Sequence, residues 1–315
     1  MGLDILSKKG TQMSESEMLE LEMSTFSSKE NDELSSYCNE FFGYGHPEAP
    51  VWFIGIEERD NLKPNPEAAL KARINAWVSY GRGDIIDCWK YHKILDEEKG
   101  EPGSFYYNTP TWVGMREFYN GLGYGFIPPR LSNIPGSEDE KRSEVENWLS
   151  NRQHDVCSLE LFPLPKTRTD SPLSGYYPDL KSDDERAVFS NPVTQTEYYR
   201  YVSSARVQIL KELIIQRRKT LKSIVLYGNT EKGWLVETGE KKAFELLFGD
   251  SKYVETSFYY RKENNKSWSE EPKKRPHKVF FSYVEGVPCL LIPHPTSITG
   301  DTRNFAKALR QTFEF

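Results

Sequence analysis

Six short runs of strand character, set apart by stretches of helical periodicity, constrain what this chain can fold into more than any other feature. Val51-Trp-Phe-Ile-Gly55 is apolar throughout and stops at glycine. Asp155-Val-Cys-Ser-Leu-Glu-Leu-Phe162 ends in Pro163-Leu-Pro-Lys-Thr-Arg168, a stiff loop expected to end its ladder. Ser223-Ile-Val-Leu-Tyr-Gly228 again closes on glycine, and Val287-Pro-Cys-Leu-Leu-Ile292 runs straight into Pro293-His294-Pro295-Thr296. Two further runs fall at about Tyr253–Tyr260 and Lys278–Tyr283. Runs without polar alternation are covered on both faces, as parallel strands between helices are. Helical spacing fills the intervals: Pro66–Tyr80, Ile85–Leu95, Pro110–Asn120 closed by Gly121, Thr194–Arg218, Glu231–Phe248 and Asp301–Phe313. This alternation predicts an α/β fold, a three-layer sandwich with a mainly parallel central sheet.

The N-terminal part reads differently. Ser14 and Glu17 have capping-box spacing, and Leu34, Tyr37, Cys38, Phe41 and Phe42 follow a second helical pattern that Gly43-Tyr-Gly-His-Pro47 breaks. Residues 1–45 are therefore expected to form an acidic helical extension on an α/β domain of residues 46–315. That domain carries a polar, proline-bearing insertion at about 169–191. The net charge of -6 sits within residues 1–40, and the remainder is balanced. The stretch Arg261–Lys278, with its Lys273-Lys-Arg-Pro-His-Lys278 cluster, is locally basic: a phosphate-binding surface or a solvated hairpin loop.

With 315 residues, 37% of them hydrophobic, the chain has material for a sizeable core. No run is long enough to cross a bilayer, and the first residues lack a targeting segment, so a cytoplasmic monomer with no membrane partner is expected. Cys38, Cys88, Cys157 and Cys289 stand far apart, and zinc-hydrolase and phosphate-loop motifs are absent. Reduced structural thiols, no metal and no cofactor are the expectation.

In sheets of this kind functional loops lie beyond the carboxyl ends of the strands. Glu57 and Glu58, the 163–168 loop, Asn229 and His294 all fall there. A carboxylate on a rigid mount can orient water or stabilise a developing cation. The plainer reading of Glu57 and Glu58 is a solvated pair beside Arg59 or Lys63. His294, between two prolines, has little backbone freedom, and a fixed imidazole can donate to an anionic leaving group.

Taken in order, these motifs resemble the uracil-DNA glycosylase superfamily. Val51-Trp-Phe-Ile-Gly-Ile-Glu-Glu58 stands at the family's first motif and Leu291-Ile-Pro-His-Pro-Thr-Ser297 at its His-Pro-Ser motif. Tyr107-Asn-Thr-Pro-Thr-Trp-Val-Gly-Met-Arg116 looks like the base-stacking loop, Ser158–Arg168 like the segment facing the flipped base, and Ser223–Asn229 like the strand before the last segment. The resemblance covers about residues 46–315. It departs from the family in three places: Glu57 stands where relatives carry Asp or Asn, no proline follows it, and Thr296 replaces the serine.

The resemblance implies a metal-independent DNA glycosylase that flips a nucleotide out and hydrolyses its N-glycosidic bond, leaving an abasic site. It implies catalytic roles for Glu57 and His294, a base pocket of Glu58, Tyr107, Trp112, Glu160, Phe162 and Asn229, and phosphate contacts from Lys166, Arg168, Thr296 and Arg303. Glu160 stands where a uracil-reading Asn would be expected, and a carboxylate accepts from the exocyclic amine of cytosine. A modified cytosine is thus the expected base. The anti-phage branch of the superfamily, acting on glucosylated hydroxymethylcytosine in phage DNA, is the weaker link. Repair of uracil or another deaminated base, and a non-catalytic nucleic-acid-binding module on the same fold, remain open beside it.

Overall fold

Hydrogen bonding joins the apolar runs into one sheet. A computed structural model describes residues 28–59, 66–99, 110–124, 136–137, 140, 156–166, 205–228, 233–237, 241–258, 277–298 and 302–314, and structural statements concern these residues. In chain order they form α1 (Ser28–Glu40), β1 (Gly43–Gly45), β2 (Val51–Arg59), α2 (Pro66–Tyr80), β3 (Ile85–Ile86), α3 (Cys88–Lys99), α4 (Pro110–Leu122) and β4 (Val156–Lys166). The second half gives α5 (Val207–Arg217), β5 (Ser223–Tyr227), α6 (Ala243–Phe248), β6 (Val254–Phe258), β7 (His277–Val284), β8 (Val287–Ile292), a 3-10 turn (Pro295–Ser297) and α7 (Thr302–Phe313).

The eight strands lie in the order β3-β1-β4-β2-β5-β8-β7-β6. The central four, β4, β2, β5 and β8, run parallel. Antiparallel strands flank them, β1 on β4 and β7 on β8, with β6 antiparallel on β7. The fold is therefore α/β with a mixed sheet and a parallel centre. From β2 the chain winds to β4 on one side, then returns across to β5 on the other. Winding thus reverses between β2 and β5, and a crevice opens outside the carboxyl ends of strands at such a point.

In β2, β5 and β8 successive side chains alternate between the faces, whereas the consecutive Leu161 and Phe162 of β4 both enter the layer on the α1 side. Trp52, Ile54, Ile224, Leu226, Cys289 and Leu291 belong to one buried layer, which α1, α2, α3, α5 and α6 also fill. Val51, Phe53, Val225, Tyr227, Leu290 and Ile292 belong to the other, with Met115 and Phe118 of α4 and Phe305, Ala306 and Leu309 of α7. Leu34, Tyr37, Cys38, Phe41 and Phe42 from the N-terminal segment are buried in the first layer.

Several boundaries differ from the sequence expectation. The helical pattern does end before Gly43, at Glu40, but Gly43–Gly45 then pairs with β4 as a short strand. Its glycine permits this, because a Cβ on Gly43 would run into the backbone at Ser158 and Leu159. Ile85–Ile86 is a strand beside β1, and the helix starts at Cys88, where the Asp87 carboxylate accepts from the Lys90 N–H at 2.9 Å. The helix expected over Glu231–Phe248 is reduced to Ala243–Phe248, its start fixed by the Lys242 N–H donating to the Glu245 carboxylate at 2.8 Å. Gly121 lies inside α4 rather than closing it.

The two changes that matter most for the site concern β2 and β4. β2 does not stop at Gly55: it pairs with β4 as far as Arg59↔Lys166, with a register shift between Glu57 and Arg59. Glu57 and Glu58 therefore stand on a strand, not in a loop. β4 likewise continues through Pro163 and Pro165. β1 pairs with it only between Cys157 and Leu159, so the prolines fall where that edge has no ladder to lose, and the register shift absorbs them on the β2 side. The Ser14–Glu17 capping box, the 169–191 insertion and most of the 261–278 basic stretch lie outside the described residues.

Candidate functional site

The carboxyl ends of four parallel strands give the site its floor, with β2 and β4 running on past the ends of β5 and β8. β2 and β5 pair from Val51↔Ser223 to Ile54↔Leu226 and then part, while β2 stays on β4. The gap falls at Gly55, and Tyr227 crosses it. Its hydroxyl donates to the Glu160 Oε1 at 3.3 Å, so a β5 side chain reaches over β2 to a β4 carboxylate. Only a glycine leaves room beneath: a Cβ on Gly55 would collide with both the Glu160 carboxylate and the Tyr227 hydroxyl.

The other side of the Tyr227 ring faces the histidine. The His294 imidazole meets it edge-on, with centroids 5.4 Å apart and planes at 77°. His294 is half-buried between the buried Pro293 and Pro295, and its carbonyl accepts from the Ser297 N–H at 2.8 Å and the Ser297 hydroxyl at 2.7 Å. Gly114 of α4 fits close against Pro295. Proline on each side, a doubly held carbonyl and a packed helix leave the backbone that carries the imidazole little room to move.

Glu160 is mounted as firmly. Its N–H donates to the Phe42 carbonyl at 2.7 Å, and its own carbonyl accepts from Arg206 Nη2 at 3.0 Å. Arg206 is fully buried and gives further hydrogen bonds to the carbonyls of Leu161 (2.7 Å), Phe41 (2.9 Å) and Cys38, with its guanidinium 4.0 Å over the Phe42 ring. One charged group thus ties the end of α1 to the β4 backbone on which Glu160 stands.

Of the residues singled out from sequence, Glu160 and His294 are brought together through Tyr227. Glu57 stands two residues past Gly55, its backbone opposite Phe162, and Glu58 follows on the strand. Phe162 is 2% exposed and belongs to the layer away from Tyr227. Arg303, exposed on the first turn of α7, pairs with Glu117 of α4 at 3.4 Å. Trp112 lies on α4, Lys166 ends β4 and Thr296 sits in the 3-10 turn, but their side chains, like Tyr107, Arg168 and Asn229 altogether, lie outside the described residues. Tyr227 and Ser297, which stand within the family-like motifs, and Arg206 are site residues that the sequence does not single out. Tyr227 ends an apolar strand in a chain of 18 tyrosines and looks like core. Arg206 did carry a signal, an arginine at helical spacing with the buried Leu210, Leu213 and Ile214.

Among the described residues no group of three His, Cys, Asp or Glu is placed to hold a metal ion, and no helix is long and apolar enough to cross a membrane. Compared with models of known protein families, with curated proteins and with solved structures, the chain matches none.

Proposed function

We propose that this chain is a DNA glycosylase that extrudes a modified cytosine into the crevice between β2 and β5 and hydrolyses its N-glycosidic bond. One observation carries the reading: a carboxylate and an imidazole, Glu160 and His294, flank Tyr227 at the switch point of a parallel sheet, beside the strand that bears Glu57. The motif resemblance to the uracil-DNA glycosylase superfamily supports it from the sequence side.

The chemistry follows from the charges that develop. As the C1′–N bond lengthens, the sugar becomes cationic and the base anionic. Glu57 stabilises the cation or positions water, which gives its hydroxyl to C1′ and its proton to the departing base. His294 donates a hydrogen bond to the base as negative charge grows there. Glu160, steered by the Tyr227 hydroxyl, accepts from the exocyclic amine, which cytosine carries and uracil lacks. The site would thereby favour cytosine-type bases, glucosylated hydroxymethylcytosine of phage DNA among them, and would release an abasic strand.

The experiment incubates the protein with matched DNAs carrying uracil, cytosine, hydroxymethylcytosine or glucosylated hydroxymethylcytosine and scores strand breaks after alkali. Breaks at one modified cytosine, lost in Glu57→Ala and His294→Ala, are expected. Breaks at uracil alone would instead make it a repair enzyme. No breaks on any of the four would remove the proposal and leave a binding module.

A further inference from the structure

The helix that follows the His294 loop carries only bases among its charged residues. α7 buries Phe305, Ala306 and Leu309 against α4 and turns Arg303, Lys307 and Arg310 outward, all three exposed. Its sequence, Thr302–Phe313, contains these three bases and no acid, in a chain where acids outnumber bases 47 to 41. The spacings of four and three residues put the bases in one row, a span of about 10 Å at the α-helical rise. Like charges at these spacings repel, and a cation in the first turn opposes the helix dipole. A helix kept only for its buried stripe would gain from an acid somewhere on this face.

The surroundings fit an anion as well. Lys307 and Arg310 edge an open cleft of about 670 Å³ whose other lining includes Asn120 of α4 and Gln311, residues with side-chain amides that can donate to phosphate oxygens. Two carboxylates face the row: Glu117, paired with Arg303, and Glu314 at the far end of the cleft. The row begins at Arg303, next to the His294 loop, and leads away from it.

We propose that the outer face of α7 is a track for the phosphodiester backbone, with Lys307 and Arg310 binding phosphates beyond the one that Arg303 would hold beside the flipped nucleotide. The inference rests on the nucleic-acid part of the function proposed above but not on base excision. Binding there is electrostatic and independent of sequence.

The test measures binding of the full chain to an unmodified fluorescent duplex over about 50–300 mM salt, where phosphate contacts dominate the affinity. Lys307→Gln and Arg310→Gln are each expected to lower the slope of log K against log salt by about 1, and the double variant by about 2. Lys219→Gln with Lys222→Gln, exposed near the start of β5 at the opposite end of the sheet, removes the same charge and is expected to leave the slope as it was. An unchanged slope in the α7 double variant, an equal fall in the control pair, or no measurable binding to DNA would each overturn the track. A chain that binds with the expected slopes yet excises no base keeps the track and loses the glycosylase function.

Discussion

Tyr227 gives the site its connectivity at the scale of single residues. Its hydroxyl fixes one carboxylate oxygen of Glu160, and its ring sets one wall for His294. Removing only the hydroxyl isolates the first role. A hydrogen bond to a charged group is worth about 1.5–3 kcal/mol, or roughly 10- to 100-fold in rate. Under the proposed function, Tyr227→Phe is accordingly expected to fold normally and to lose about that much in kcat/KM on an amine-bearing base, measured by single-turnover excision, with a much smaller loss on uracil. An equal loss on both bases would mean that Glu160 does not read the amine. Gly55→Ala is the harsher change: its methyl displaces the Tyr227–Glu160 pair, and misplacement on this scale costs about 100-fold. His294 was legible in the sequence because it stands past the end of an apolar run between two prolines, and Glu160 only through the motif resemblance, since it lies inside its run with Leu161 and Phe162 beyond it. Arg206 was not, because its carbonyl partners Cys38 and Phe41 come from more than 160 residues earlier in the chain. No local pattern encodes such a contact.

Elements were read well where periodicity alone decides and poorly where a neighbour does. α2 and β8 fall where the apolar spacing put them. β2 outran its glycine and β4 its prolines because each supplies the other with a ladder beyond the point where local propensity ends, a support that exists only after the strands have met. The pairing of α4 with α7 is of the same kind. Gly121 faces the Arg303 carbonyl and the Ala306 methyl, so the helices meet backbone to backbone, with Phe118 and Phe305 in edge contact beside them at 6.3 Å. Gly121→Val would wedge this seam open. Overpacking of a core costs about 1–3 kcal/mol, which for a protein of this size lowers Tm by roughly 2–5 °C. Calorimetry is expected to show that drop, and under the proposed function a DNA titration is expected to show weaker binding, because Arg303 rides on the displaced helix. A variant as stable as the parent would show that α7 can slide, and that its position does not depend on the close approach.

Across the whole molecule, the layer on the α1 side holds charge and thiols together. Cys38, Cys157 and Cys289 are free and 0% exposed. Burial pushes the Cys38 thiol from 9.0 up to about 12, against the pull of the nearby Arg206 guanidinium. Burial raises Cys157 well above the usual value, with the charge of Asp84 adding to the rise, and burial alone does the same for Cys289. In the unfolded chain these thiols lose their protons near 9.0, whereas the folded protein keeps them protonated. Folded values raised above unfolded ones give a stability that is complete below pH 9 and drains away as pH rises, for Cys38 up to about 12. Each thiol contributes a slope of about 1.4 kcal/mol per pH unit in its window. Urea unfolding followed from pH 7 upward is therefore expected to hold level to about pH 8.5 and then fall steeply. Cys38→Ala is expected to be less stable at pH 7, from the space it empties, yet to show a shallower alkaline slope. Parallel slopes in parent and variant would mean that the thiol ionises in the folded state, and that the junction between α1 and β4 admits water around Arg206.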